Sequence, residues 1–138
     1  AGPLFEAKYW REMEVARLNN DPAFPKGGHL TACGCPFGEI SVRADGMIIP
    51  CTMLAHMVLG RINSDSLQDV WLNNPELNRL RMRQNIPLNE FDFCRDCDYM
   101  PYCTGNCPGV AFTLTGDINH PSPDACLRKF LAEGGKIP

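Results

Sequence analysis

Four cysteines fall within fifteen residues of the stretch "FCRDCDYMPYCTGNC": Cys94, Cys97, Cys103 and Cys107. Four more, Cys33, Cys35, Cys51 and Cys126, are spread along the rest of the chain. Disulfides, zinc ions and iron-sulfur clusters all use dense thiols. Two residues between Cys94 and Cys97 let both thiolates grip one metal centre while the intervening backbone turns N–H groups toward the sulfurs, in zinc knuckles and iron-sulfur loops alike. A four-thiolate zinc site usually pairs two such knuckles. Here the second short pair, Cys33 and Cys35, has one intervening residue, and the other intervals are irregular. Eight cysteines divide evenly into two four-thiolate sites, the need of two 4Fe-4S cubes. A zinc-binding structural or interaction module without a redox role is the alternative.

Composition narrows the setting. A chain of 138 residues suits one modest core, and twelve prolines with twelve glycines imply much loop. Thirteen basic residues against sixteen acidic ones leave it weakly acidic, and no Lys/Arg run tracks a helix face, so no nucleic acid is expected as a partner. Apolar runs such as "MII" at 47–49 are too short to cross a bilayer, so no membrane is expected either. The N-terminus lacks a basic region followed by an apolar one, so the expected compartment is the reducing cytoplasm. There, dense cysteines favour metal over a disulfide framework.

The elements that must position the thiols are short. Phe5, Tyr9, Met13 and Ala16 recur at helical spacing, and Asn19-Asn20-Asp21-Pro22 supplies a stop. The Pro/Gly stretch "DPAFPKGG" reads as a linker. Ile40 and Val42 before Asp45-Gly46, with Met47, Ile48 and Ile49 after it, predict a β-hairpin with Cys35 and Cys51 at its ends. Two short helices follow. The first is capped by Asp65 or Ser66, with Leu67, Val70 and Trp71 on one face; the second has Asn74 as cap and Pro75 at its first position. A last helix is predicted with Ser122 as cap, Pro123 at its start, Cys126 in its first turn, an apolar face of Leu127, Phe130 and Leu131, and Gly134 as stop. The expected fold is α+β: a small loop-rich domain with a β-hairpin, short helices and two metal-cluster loops.

From Cys35 there are ten residues to Gly46 and four more to Cys51, then a long gap to Cys94, Cys97, Cys103 and Cys107, and a further gap to Cys126. This pattern resembles the seven-cysteine signature of the SPASM domain, the C-terminal extension of radical S-adenosylmethionine (SAM) enzymes that modify peptides and proteins. The resemblance covers about residues 33–130, and "LGRINSDSLQDVW" is similar to the family's connecting helix. It implies residues 1–30 as an N-terminal helix and linker from a preceding domain, and 31–138 as the SPASM auxiliary-cluster domain. It also implies two auxiliary 4Fe-4S clusters. One would use Cys35, Cys51 and Cys107, with Cys33 as fourth ligand; the other would use Cys94, Cys97, Cys103 and Cys126. Metal would then tie the hairpin to the cysteine loop and that loop to the last helix, in place of core.

Cys33 is the open ligand. If Cys33-Gly34-Cys35 is extended, its two thiols lie on one face about 6.6 Å apart, suited to two irons of one cube. Otherwise Cys33 is spare and one iron keeps an open site. His29, His56 and His120 lack metal spacing and read as surface or structural residues, and Trp71 and Met57 read as packing. Gly105 and Asn106 suit a tight turn at positive φ before Cys107, where many SPASM domains have two glycines. No cysteine triplet spaced by three and then two residues is present, since Val110 follows Cys103 and Cys107 where the third would stand. The chain is thus expected to be a fragment of a radical SAM oxidoreductase or maturase, inactive alone, with SAM and a third cluster held in the missing parent domain and no catalytic residue of its own. Thr52 stands where sulfatase-maturing relatives carry an acidic base, and Cys103 where some quinone-cofactor relatives use aspartate. The implied role is electron transfer during peptide or protein modification. Its implied partners are the substrate, the parent radical SAM domain and an external electron donor or acceptor.

Overall fold

The computed structural model describes residues 3–21 and 27–137; the side chain of Phe5 and the linker residues 22–26 lie outside the described residues. The chain divides into two compact units, one of residues 33–83 and one of residues 1–32 with 84–138.

The unit of residues 33–83 is built on a small antiparallel sheet. Strands β1 (Ser41–Val42) and β2 (Met47–Ile49) form the expected hairpin, with Ser41 opposite Ile49 and Val42 opposite Ile48. Its turn closes because Gly46 adopts φ +86° and the Asp45 carboxylate accepts from the Met47 amide at 3.3 Å. A third strand, β3 (Gly60–Arg61), pairs with β2, with Ile48 opposite Gly60. No strand was expected there. Two residues are too few to show an alternation, and Gly60 is present for closeness, since a Cβ would lie 3.0 Å from the Val70 side chain. Ahead of β1, a single helical turn, α2 (Cys35–Gly38), carries Cys35, so that cysteine opens a helical turn instead of ending a strand. Helices α3 (Leu67–Asn73) and α4 (Pro75–Met82) start where expected: Ser66 accepts from the Asp69 amide, and Asn74 accepts from the Glu76 and Leu77 amides with Pro75 in the first turn. Val70 is buried beneath the sheet side of α3, whereas Leu67, expected on the same face, is exposed. The core holds Ile48, Ile49, Leu54, Leu59, Leu77 and Leu80.

In the other unit, helix α1 (Pro3–Asn19) ends at the expected stop, where Asn20 takes φ +47°. Trp10, Met13 and Ala16 form its buried face, with Tyr9 half-buried beside them. Trp10 packs 4.6 Å from the Phe130 ring and donates from Nε1 to the Ala125 carbonyl. The segment at 28–30 pairs with 86–88 through the Leu30 amide to Ile86 and the Leu88 amide to Gly28. Gly27 presses on the loop after Pro101, where a Cβ would come within 2.0 Å of the Pro101 carbonyl oxygen. Helices α5 (Pro108–Thr115) and α6 (Leu127–Ala132) complete the unit. Helix α6 starts later than expected: Cys126 is its N-cap, and Ser122 is not. No described helix is long and apolar enough to cross a membrane.

Candidate metal centre

Cys94 closes the helical turn Asp92–Cys94, with its amide bonded to the Phe91 carbonyl at 2.9 Å. The chain then reverses at Asp96, a residue type that tolerates its φ of +57°, and delivers Cys97. A second turn, Met100–Tyr102, ends at Cys103, whose extended backbone leads into Gly105 and Asn106 at φ +73° and +62°. That is the positive-φ turn expected before Cys107, which caps α5. Cys126 arrives from a separate segment at the head of α6.

Cys94, Cys97, Cys103 and Cys126 line one cavity of about 30 Å³. That is more room than one water needs. The rest of its wall is largely apolar, with Met13, Leu88, Met100 and Leu127 among the lining residues. Phe93 and Tyr99 also line it, and Tyr102 packs in the neighbouring core of Trp10, Met13 and Leu127. Burial pushes the Cys94 thiol up to about 12, helped by its neighbours Cys103, Cys126 and Cys97, while the Arg128 guanidinium works the other way. Burial likewise raises Cys103 to about 11, against the pull of the Gly105 N–H, which points at its sulfur from 3.4 Å. Without metal these thiols are therefore protonated, and a metal must displace the protons. Arg128 braces the loop by donating to the carbonyls of Phe93 and Arg95.

In the unit of residues 33–83, Cys35 donates to the Glu39 carboxylate at 2.9 Å. Burial raises its pKa most, then that bond, then the nearby Cys33 and Cys51. Cys33 and Cys51 thus both lie near Cys35. The Cys33-Gly34-Cys35 stretch is not extended, however. Cys33 sits at φ +91° and Gly34 at φ −83°, ψ −14°, so the same-face spacing of a strand does not apply. Arg81 fixes this turn, donating to the Pro36 carbonyl at 2.7 Å and to the Trp71 carbonyl at 2.6 Å while lying over the Trp71 ring. Trp71 and the buried Met57 are packing residues, as expected.

No disulfide joins any of the eight cysteines. Among the described residues no three His, Cys, Asp or Glu side chains converge tightly enough to hold one metal ion. The donor set around the cavity, four thiols with an amide directed at one sulfur, fits an iron-sulfur cluster. His120 lies against the Phe91 and Phe93 rings, a structural place. Two lining residues, Ser122 and Arg128, carried no sequence signal for this site: the first has cap chemistry, and the second is one of many arginines.

Residues 33–98 match the SPASM family of iron-sulfur cluster-binding domains. The family read from the cysteine spacing is borne out there, over just under half of the chain. The SPASM match ends before Cys103, Cys107 and Cys126, which rest on spacing and geometry. A PqqA peptide cyclase from Granulibacter bethesdensis is 29% identical over 91 residues, covering 64% of this chain. The chain spans only 23% of that protein's length. No solved structure matches the chain at the same stringency.

Proposed function

We propose that this chain is the C-terminal SPASM part of a radical SAM enzyme that modifies a peptide or protein, and that it binds two auxiliary 4Fe-4S clusters. The observation that carries this reading is the gathering of Cys94, Cys97, Cys103 and Cys126, from separate segments, around one otherwise apolar cavity. Those four would hold one cluster, and Cys33, Cys35, Cys51 and Cys107 the other. Bound there, the clusters supply one-electron transfer. Cys94, Cys97, Cys103 and Cys126 would hold a cluster within a largely apolar wall, and the Gly105 amide would favour the Cys103 thiolate. The peptide substrate is inferred from the relative, a peptide cyclase, and the radical SAM domain from the resemblance that the cysteine pattern carries. Residues 1–30 would join the two parts, in a reducing cytoplasm.

The test is metal content. The chain, purified without oxygen and reconstituted, should carry about eight irons and eight acid-labile sulfides and show two paramagnetic signals after reduction. About two zincs per chain with no labile sulfide would replace this reading with a structural module.

A further inference from the structure

Ser122 is only 1% exposed, and its Oγ has no hydrogen-bond partner. A buried hydroxyl left unmet costs about 1–3 kcal/mol, so its place needs a reason. Its cap chemistry is not that reason, because Cys126 caps α6. Ser122 is instead held across the metal cavity: its amide donates to the Gly105 carbonyl at 2.9 Å, and prolines flank it on both sides. It lines the same cavity as the four thiols.

Other polar side chains of that wall have protein partners. Asn106 donates to the Ala125 carbonyl at 2.9 Å, Arg128 to the Phe93 and Arg95 carbonyls, and the Tyr99 hydroxyl bonds Glu14. Sulfide and thiolate sulfurs accept hydrogen bonds and donate none. Ser122 is a residue of the same wall, and its hydroxyl is an unspent donor of the kind such sulfurs accept.

We propose that the Ser122 hydroxyl donates a hydrogen bond to a sulfur of the iron-sulfur cluster held in this cavity and thereby raises that cluster's reduction potential. The inference rests on the cluster reading above. The sign follows from charge. One-electron reduction adds a negative charge, a donor stabilises the more negative state more, and its removal makes reduction harder.

The experiment is a redox titration of the reconstituted chain, followed by electron resonance, for the wild type, Ser122→Ala and Ser122→Thr. Ser122→Ala should lower the reduced-to-oxidised ratio of one cluster about tenfold at a fixed potential, a shift of about 59 mV for one electron, and leave the other cluster unmoved. Ser122→Thr, which keeps the hydroxyl, should titrate close to the wild type. In deuterated solvent the coupling of one exchangeable deuteron to the reduced cluster should vanish in Ser122→Ala and persist in Ser122→Thr. The titration counts only clusters that form, so partial loading does not obscure it. Should Ser122→Ala take up no iron at this site, normal loading of Ser122→Thr would support the hydroxyl contact, and failure of both would overturn it. Unchanged potentials in a fully loaded Ser122→Ala overturn the proposal and leave the cluster reading intact. Absence of labile sulfide from the wild type removes both.

Discussion

Gly105 meets two demands at once. Its φ of +73° is open to glycine at little cost, and its amide is aimed at the Cys103 sulfur. A Cβ there would also lie 2.3 Å from the Leu30 side chain, which is itself buried. Gly105→Ala should therefore destabilise the chain by about 1–3 kcal/mol, visible as a fall in Tm of roughly 4–12 °C. Thermal melts of the metal-free chain would check this, and a melt within error of the wild type would show that the turn relaxes freely. At this scale the sequence was legible where residue type limits the backbone: the Gly105-Asn106 turn, Gly46 in the hairpin and the stop at Asn20 all follow from tolerance of positive φ. Cys33 was not legible, because nothing in a cysteine announces φ +91°. Ser122 misled for a related reason. Serine before proline and aspartate has the chemistry of a cap, but its amide is committed to Gly105 across the unit, and tertiary pairing overrides the local preference.

Among the elements, Arg81 joins three. It ties α4 to the Cys35 turn through the Pro36 carbonyl and to α3 through the Trp71 carbonyl and ring. Arg81→Met keeps much of the apolar stem but strands two carbonyls, so a loss of about 3–6 kcal/mol is expected, since hydrogen bonds to charged groups are each worth about 1.5–3 kcal/mol. Arg79→Met is the control. Its guanidinium meets Glu76 at 3.2 Å on an exposed face, a pair worth about 0.3–0.5 kcal/mol. Denaturant melts that cost both variants alike would refute the staple. Arg81→Met should also lower iron uptake, because the turn that presents Cys35 loosens with it. Elements with strong local codes were legible: Ser66, Asn74 and Pro75 marked both helix starts. Strand β3 and the turn α2 were not, since each is set by packing around Gly60 or Arg81 from elements distant in sequence.

At the scale of the whole molecule, the two units differ in what holds them. The unit of residues 33–83 has a sheet and a core in which Ile48, Leu54 and Leu77 are each at most 1% exposed. In the other unit, residues 92–105 are single turns around a cavity, and few of their side chains are buried. Thiols pushed up to about 12 and about 11 at Cys94 and Cys103 are neutral without metal, so these two side chains bring no charge of their own to hold the turns together. Removing metal should accordingly act unevenly. Amides of Cys94, Met100 and Cys103, each bonded within its own turn, should exchange with solvent at least about tenfold faster after metal removal, a loss of about 1.4 kcal/mol in local opening energy. The Leu59 amide, paired to Ile48 within the sheet, should change by less than about twofold. Hydrogen exchange on chain with and without reconstituted clusters separates the outcomes. Loosening confined to 92–105 means that metal replaces core only where core is thin. Loss of protection at Leu59 as well means that the sheet too depends on metal, with the thiols of Cys33, Cys35 and Cys51 as its anchor.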